Sequence, residues 1–297
     1  MKYAKILLLL SGLSITPVAQ SGTFTTYTTT WNNLSRQYAV YVPTSLPSNP
    51  SMVLFLHATS YTAAAPYQMV SQWEASANQN SFLMVWPVST YEPHAKAWFW
   101  DAYDMDFSFT AAPDDAGFLR NLITTLVTQY SVNPNAVFVT GMSSGALMTH
   151  RVGVQLSDLV AAIAPVSGQL YMKQITDCFS PPNPVSPVSV LELHGDADTT
   201  LPYCGSQPHV QWGANFLTLP SVDVDMNYWI QANSCSSYST QPLCTNGAPT
   251  AGVNGQDATG CNGGVEVKFV RELGVGHVWG GTTINTVWQF FSAHPKP

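Results

Sequence analysis

Charge is what this chain has least of. Of 297 residues only 9% are Asp, Glu, Lys or Arg, against roughly a quarter in an ordinary soluble domain. Lys and Arg total 10 and Asp and Glu 17, for a formal net charge of −7. Binding to nucleic acid requires clustered cations to neutralise phosphates, and docking on anionic lipid requires the same, so neither partner is expected. Long apolar runs are also scarce. The stretch Ile6 to Ile15, behind Lys2 and Lys5, is too short to cross a bilayer as a helix. With small residues around Ala19 and Ser21 it reads as a secretory signal peptide over residues 1–20. No Cys follows that stretch, which argues against a lipid anchor, and no later segment is long and apolar enough to span a membrane. Cysteine is absent before Cys178, and the five present (Cys178, Cys204, Cys235, Cys244, Cys261) contain no C-x-x-C pair. A zinc site is therefore not expected. In an exported chain five cysteines predict two disulfides and one thiol. There is no internal repeat, and residues 21–297 are expected to form a single domain.

What the chain does have is apolar material in short, regularly spaced runs, 45% of residues being hydrophobic. Phe24 to Trp31 and Arg36 to Pro43 predict two strands joined at Asn32-Asn33. Ser51 to Ala58, Phe82 to Pro87, Asn135 to Gly141, Leu159 to Ala164, Val188 to His194 and Val265 to Leu273 are near-continuous apolar runs, as expected of strands buried on both faces. Helical patterns fall between them, at Asp114 to Tyr130, Ser144 to Gln155, Val222 to Ala232 and Thr283 to His294. This alternation predicts an α/β fold, a mainly parallel sheet flanked by helices on both faces. The Ser/Thr/Asn/Gly-rich stretch from Cys235 to Gly264 reads as a long surface loop tied by cysteines.

The strongest chemical signal is Gly141-Met142-Ser143-Ser144-Gly145, a G-x-S-x-G pentapeptide directly after a predicted strand and directly before a predicted helix. A nucleophile on so sharp a turn needs small residues two before and two after it, and the helix N-terminus favours negative charge developing beside it. A serine hydroxyl is a weak nucleophile until a base removes its proton, and in this arrangement the order along the chain is Ser, acid, His. Two acids compete downstream of the next strand, Asp196 and Asp198, and the residues alone do not separate them. Gly274-Val275-Gly276-His277, after the last strand, presents the candidate base, His277. Of the other histidines, His57 and His194 end strands and are expected to bond to local backbone, His94, His209 and His294 lie in polar loops or at the terminus, and His150 falls on the helix after the serine. The amide of Ser144, next to the nucleophile, is the expected first donor to an oxyanion.

These stretches, together with VLFLHAT, DDAGFLRNLI, LVAAIAPVSG, LHGDADTTLPY and GVGHVWGG, resemble the secreted esterases grouped as polyhydroxybutyrate depolymerase-like and feruloyl esterase enzymes, over about Val53 to Gly281. The resemblance implies an α/β-hydrolase fold, a Ser-His-Asp triad and an acyl-enzyme. It places the acid of H-G-x-x-D on Asp198, the base of G-H-x-W on His277 and the second oxyanion donor on Thr59. Here Ala58 replaces the family's usual Gly, and Gly280 stands where a Pro usually follows G-H-x-W. It also implies a Cys235–Cys261 bridge. Cys178 and Cys204, both in loops after neighbouring strands, are the second expected pair, with Cys244 free and Cys235–Cys244 the rival.

The expected activity is hydrolysis of carboxylic esters, foremost feruloyl or related plant cell-wall polysaccharide esters. Polyhydroxybutyrate depolymerase and acetylxylan esterase are the alternatives within the class, and the same triad can cleave amides. A non-catalytic binding protein on this scaffold is disfavoured because all three triad residues are present. Trp98, Trp100, Tyr203 and Trp279, with Phe99 and Trp212, are candidates to line an acyl pocket. Prolines at 181, 182, 184 and 187 argue against a helical lid over the serine and for an open cleft. Asp101, Asp104 and Asp106 lack the full ligand set of a calcium loop and read as a solvated loop. Asn33-Leu34-Ser35 is a potential N-glycosylation acceptor. The expected protein is extracellular and monomeric, with no metal and no cofactor, acting on a polymer-linked ester.

Overall fold

The computed structural model describes residues 22–60, 67, 69–92, 96–102, 113–170, 184–205, 210–212, 215–217 and 219–297. The signal-peptide stretch, Cys178, His94, His209, Asp104, Asp106, Pro181 and Pro182, as well as the Trp212 side chain, lie outside the described residues. In chain order the main elements are β1 (Thr23–Trp31), β2 (Leu34–Val42), β3 (Met52–Leu56), α1 (Val70–Asn80), β4 (Leu83–Pro87), the hairpin β5 (Thr90–Glu92) and β6 (Ala97–Phe99), α2 (Asp115–Gln129), β7 (Val137–Met142), α3 (Ser144–Gln155), β8 (Ala162–Val166) and β9 (Ser189–Gly195). There follow the hairpin β10 (Val210–Trp212) and β11 (Asn215–Leu217), α4 (Val222–Ala232), β12 (Ser237–Tyr238), the hairpin β13 (Cys244–Thr245) and β14 (Ala248–Pro249), β15 (Gly255–Thr259), β16 (Val267–Glu272) and α5 (Thr283–Ala293).

Among the described residues one ten-stranded sheet organises the fold, in the order β1-β2-β4-β3-β7-β8-β9-β16-β15-β12. Its centre, β4 through β16, is parallel. Crossovers through α1, α3 and other segments make this possible, and they put apolar cover on both faces. The strand pleat then separates two cores. Met52, Leu54, Leu56 and Val139 belong to the one packed with α2, α3 and α4. Val53, Phe55 and Phe138 belong to the other, with Trp73 of α1 and Val287, Phe290 and Phe291 of α5. The edge hairpin β1–β2 turns at Asn32 and Asn33, whose φ values of 46° and 62° are those a two-residue type I′ turn requires.

Two features differ from the sequence expectation. Helix α1 carries only Trp73, Ser76 and Ala77 buried and has no capping side chain, so its sequence offers little helical signal. The Cys235 to Gly264 stretch is more than loop, since β15 and β12 extend the sheet antiparallel beyond β16. Cys235 is bonded to Cys261, joining the end of α4 to the turn before β16. Cys204 is bonded to Cys244, which corrects both the Cys178–Cys204 pairing and the free Cys244. The reason lies in α4. Asp223, in its first turn, accepts the amides of Leu243 (2.6 Å) and Cys244 (2.9 Å), and Leu243 is fully buried. The β13–β14 hairpin is thereby docked on α4, with Cys244 beside the Tyr203-Cys204 turn.

Candidate active site

Ser143 sits between β7 and α3 with φ 56° and ψ −122°, a conformation an L residue rarely adopts and one that stores on the order of 1–3 kcal/mol. The glycines of the pentapeptide make it possible. A Cβ on Gly145 would lie 2.0 Å from the Leu56 carbonyl oxygen and 2.7 Å from that of His57, and one on Gly141 would lie 2.6 Å from the Gly145 oxygen. Strand β3, strand β7 and helix α3 therefore meet at backbone contact, which only hydrogen side chains permit. The Ser143 amide bonds the Val166 carbonyl (3.1 Å) and its own carbonyl accepts from Ala146 and Leu147. The Ser144 amide lies in the first helical turn, among the donors a helix leaves unpaired.

The candidate acid and base come from the ends of β9 and β16, on the sheet edge where Ser143 follows β7, the strand C-termini at which ligands bind in such folds. His277 Nδ1 lies 2.7 Å from Asp198 Oδ2. With a carboxylate as partner, Nδ1 carries the proton, which leaves Nε2 unprotonated and able to act as a base. The Asp198 carboxylate is fixed from three further sides. Its Oδ1 accepts the amides of Thr200 (2.8 Å) and Leu201 (2.9 Å), and Oδ2 lies 3.4 Å from His194 Nε2. Burial by itself would raise its pKa, but the bonds from His194, His277 and Leu201 outweigh burial and hold it well below the usual carboxylate range. The rival, Asp196, is engaged elsewhere. It pairs with Arg271 at 2.7 Å and accepts the Gly274 amide at 2.6 Å, pinning the root of the His277 loop.

The loop that carries Thr59, the candidate second oxyanion donor, follows β3. His57 Nδ1 donates to the Ala58 carbonyl (2.7 Å) and Nε2 accepts the Ser89 amide (3.0 Å). Burial, opposed by the Ala58 bond and assisted by the Arg36 charge, pushes its pKa down to about 4, so it is neutral and its bonding directions are fixed. Thr59 follows, its buried hydroxyl without a hydrogen-bond partner among the described residues, and Ser60 pairs with the Trp98 backbone in both directions (3.0 and 2.7 Å).

The family described as Esterase PHB depolymerase matches residues 36–179. A probable acetylxylan esterase A of Aspergillus flavus is 34% identical over 123 residues, 41% of this chain and 38% of that protein. Feruloyl esterase B of Piromyces equi is 29% identical over 187 residues, 62% of this chain and 32% of that protein. Among solved structures, an acetyl xylan esterase from Aspergillus awamori superposes with a TM-score of 0.61 at 18% identity, over 90% of this chain and 99% of that one. The chain is similar to the esterase PHB depolymerase family over residues 36–179, just under half of its length. Its fold is the α/β-hydrolase fold. The matched stretches span well under half the length of these curated relatives.

The aromatic candidates separate in the structure. Trp100 is fully buried, its indole donating to the His57 carbonyl (2.9 Å). Tyr203 is buried edge-on to His194 and Phe269. Neither lines an open cleft, which corrects that expectation: both rings support the loops that carry the site. Trp279 is partly exposed and packs on Phe55 and Trp73, anchoring the His277 loop to α1. Trp98 is half-buried against exposed Tyr91 and is the candidate held beside the Thr59-Ser60 loop by the Ser60 backbone pairing. A groove of about 360 Å³ runs between α1 and α5, lined by Met69, Gln72, Ser76, Trp279 and Asn285 among others, and none of the three triad candidates lines it.

Sequence reasoning missed the supports. Arg36, fully buried, meets Asp115 at 2.5 Å, and Asp115 also accepts the Asp101 amide at 2.7 Å. Asp101 itself pairs with Arg151 at 3.3 Å, so it is an ion-pair partner. The available signal was a charged Arg in a predicted strand and the acids opening α2. For His194 the signal was the H-G-x-x-D spacing, which places it four residues from the acid it contacts.

Proposed function

We propose that this chain is an exported carboxylic ester hydrolase working through Ser143, His277 and Asp198. The reading rests on one observation above the others: a strained serine elbow and a 2.7 Å His277–Asp198 contact at the same edge of one parallel sheet. His277 Nε2 takes the Ser143 hydroxyl proton as Oγ bonds to the ester carbonyl carbon. The carbonyl oxygen becomes an oxyanion facing the amides of Ser144 and Thr59. The intermediate collapses, the C–O bond to the alcohol breaks, and the alcohol leaves with the proton from His277. Water, deprotonated by His277, then cleaves the acyl-enzyme and restores Ser143. Asp198 stays ionised throughout, holding the imidazole tautomer and stabilising the imidazolium.

The substrate we infer is an acyl ester carried on a plant cell-wall polysaccharide, feruloyl or acetyl. The acetylxylan and feruloyl esterase names of the relatives support this class. A polyester hydrolase is the second reading, favoured by the family's description. Export is supported by two disulfides, which oxidising compartments maintain. Turnover of methyl ferulate, p-nitrophenyl acetate, acetylated xylan and polyhydroxybutyrate film by wild type and Ser143→Ala tests both levels. Loss of several orders of magnitude in the variant is expected, and full activity in it would sink the triad. Hydrolysis of the polyester film alone would overturn the polysaccharide reading and keep the mechanism.

A further inference from the structure

Behind the site lie three titratable side chains that no step of the reaction uses: His150 of α3, Glu192 of β9 and Asp225 of α4. All three are fully buried, and one nitrogen or oxygen of each lies within 4.8 Å of the others. None of the four carboxyl oxygens of Glu192 and Asp225 meets a hydrogen-bond partner at ordinary geometry among the described residues. Two ionised carboxylates with no cation in so dry a place would be severely penalised.

His150 does not supply the cation. Its Nδ1 accepts from Trp229 Nε1 (3.1 Å), so that nitrogen carries no proton, and its Nε2 donates to the Gly168 carbonyl (3.2 Å). Burial, opposed by the Gly168 bond and helped by nearby His194, pushes its pKa down to about 3. Among the described residues, the other groups near the pair are the Leu170 amide beside Asp225, buried His194 on β9 itself and Tyr203, whose own pKa burial raises with Glu192 adding to the effect. Such close carboxyls resolve the conflict by retaining a proton. Burial pushes Glu192 up to about 8, and burial together with the Glu192 charge pushes Asp225 up as well.

The cluster touches the nucleophile's support. Gly168, held by His150, has no room for a side chain, since a Cβ there would lie 2.7 Å from the Ser143 carbonyl oxygen. Trp229, which holds His150, stands one helical turn after Asp225 on α4. We propose that Glu192 and Asp225 hold a proton between them, and that this pair is a positioning element for Ser143. It acts through α4, Trp229, His150 and Gly168. When the proton leaves in alkaline solution, the second negative charge pushes α4 from β9, draws Trp229 off His150 and frees the elbow. The catalytic half of this inference rests on the esterase reading; the shared proton does not.

The sign of the stability effect is fixed by linkage. A carboxyl that binds its proton more tightly folded than unfolded stabilises most at low pH, and the contribution is lost as pH rises from about 4.5 to about 8. Wild type, Glu192→Gln and Asp225→Asn are compared for thermal unfolding from pH 5 to 9 and for kcat and KM on p-nitrophenyl acetate from pH 6 to 10. In wild type Tm should decline across the first window, and kcat, more than KM, should fall through about pH 8. In either variant the decline in Tm should flatten and the alkaline fall in kcat move up by at least about one pH unit, a tenfold change in proton affinity. Unshifted profiles in both variants overturn the proposal. Should the variants fail to fold, infrared spectra of wild type decide: a protonated-carboxyl band present at pH 7 and lost at pH 10 supports it, and its absence at pH 7 overturns it. One tightly held divalent ion per purified chain, with Tm lowered by chelation, also overturns it, a metal then neutralising the pair. If Ser143→Ala keeps full turnover, the esterase reading fails while the infrared and Tm results still decide the proton.

Discussion

Replacing Gly145 by Ala adds one methyl group and should disable the site. The new Cβ would stand 2.0 Å from the Leu56 carbonyl oxygen, where ordinary contact begins at 3.4 Å, and 2.7 Å from the His57 oxygen. Both obstacles are backbone. Leu56 ends β3, a central strand bonded to β4 and β7, so β3 cannot yield without breaking the sheet ladder. Helix α3 must move instead, by an ångström or more. It carries Ser143 at its N-cap and Ser144 in its first turn, while the Thr59 loop continues from His57. The proposed nucleophile and the Ser144 amide are thus displaced together relative to Thr59. A misplacement of about 1 Å costs on the order of 10²-fold in rate, and overpacking costs about 1–3 kcal/mol. At about 2–4 °C per kcal/mol for a domain of this size class, Tm should fall by several degrees. The assay is kcat on p-nitrophenyl acetate beside thermal unfolding. Gly281→Ala serves as the stability control, because its added methyl meets nothing within 4 Å and should change stability by no more than about 0.5 kcal/mol. If Gly145→Ala keeps kcat within twofold and Tm within a degree, the contact argument is wrong.

Other consequences can be checked alongside. Ser143→Gly should lose activity as Ser143→Ala does yet be the more stable of the two by about 1 kcal/mol, because Gly adopts positive φ without strain; equal stabilities by denaturant unfolding would contradict the strained elbow. Asp198, its folded pKa held below the ordinary range, contributes stability that is complete above about pH 4 and lost as pH falls below that. Asp198→Asn should therefore flatten the drop in Tm between pH 5 and 3 while lowering kcat by orders of magnitude; a drop as steep as that of wild type would refute the assignment. Removing the Cys204–Cys244 bridge by Cys244→Ser should cost about 2–5 kcal/mol, and non-reducing peptide mapping should recover Cys204 joined to Cys244; recovery of Cys204 with Cys178 would refute the pairing.

The sequence was most legible where a function is written in consecutive residues. Gly141 to Gly145 specify the elbow because the crowding is local to one strand, one turn and one helix. The apolar runs specify the parallel strands because burial on both faces demands them, and His277 is marked by its place after the last strand. Long-range partners were not legible. Asp196 and Asp198 are two residues apart with equal chemistry, and the folded loops separate them: Arg271 takes one and His277 the other. Cys244 reaches Cys204 only because Asp223 docks a hairpin that propensity read as loop. Trp100 and Tyr203 look like pocket linings in sequence and are buried braces in space, since an aromatic ring suits either role until its neighbours are known. Glu192 and Asp225 stand 33 positions apart in unremarkable contexts, and only the approach of α4 to β9 turns two ordinary acids into a buried pair. Local sterics and periodic burial, both written along the chain, were enough to specify the central parallel strands and the turn that carries Ser143. Which distant charges, rings and sulfurs meet was settled only on folding, because those contacts depend on how the crossovers close over the sheet.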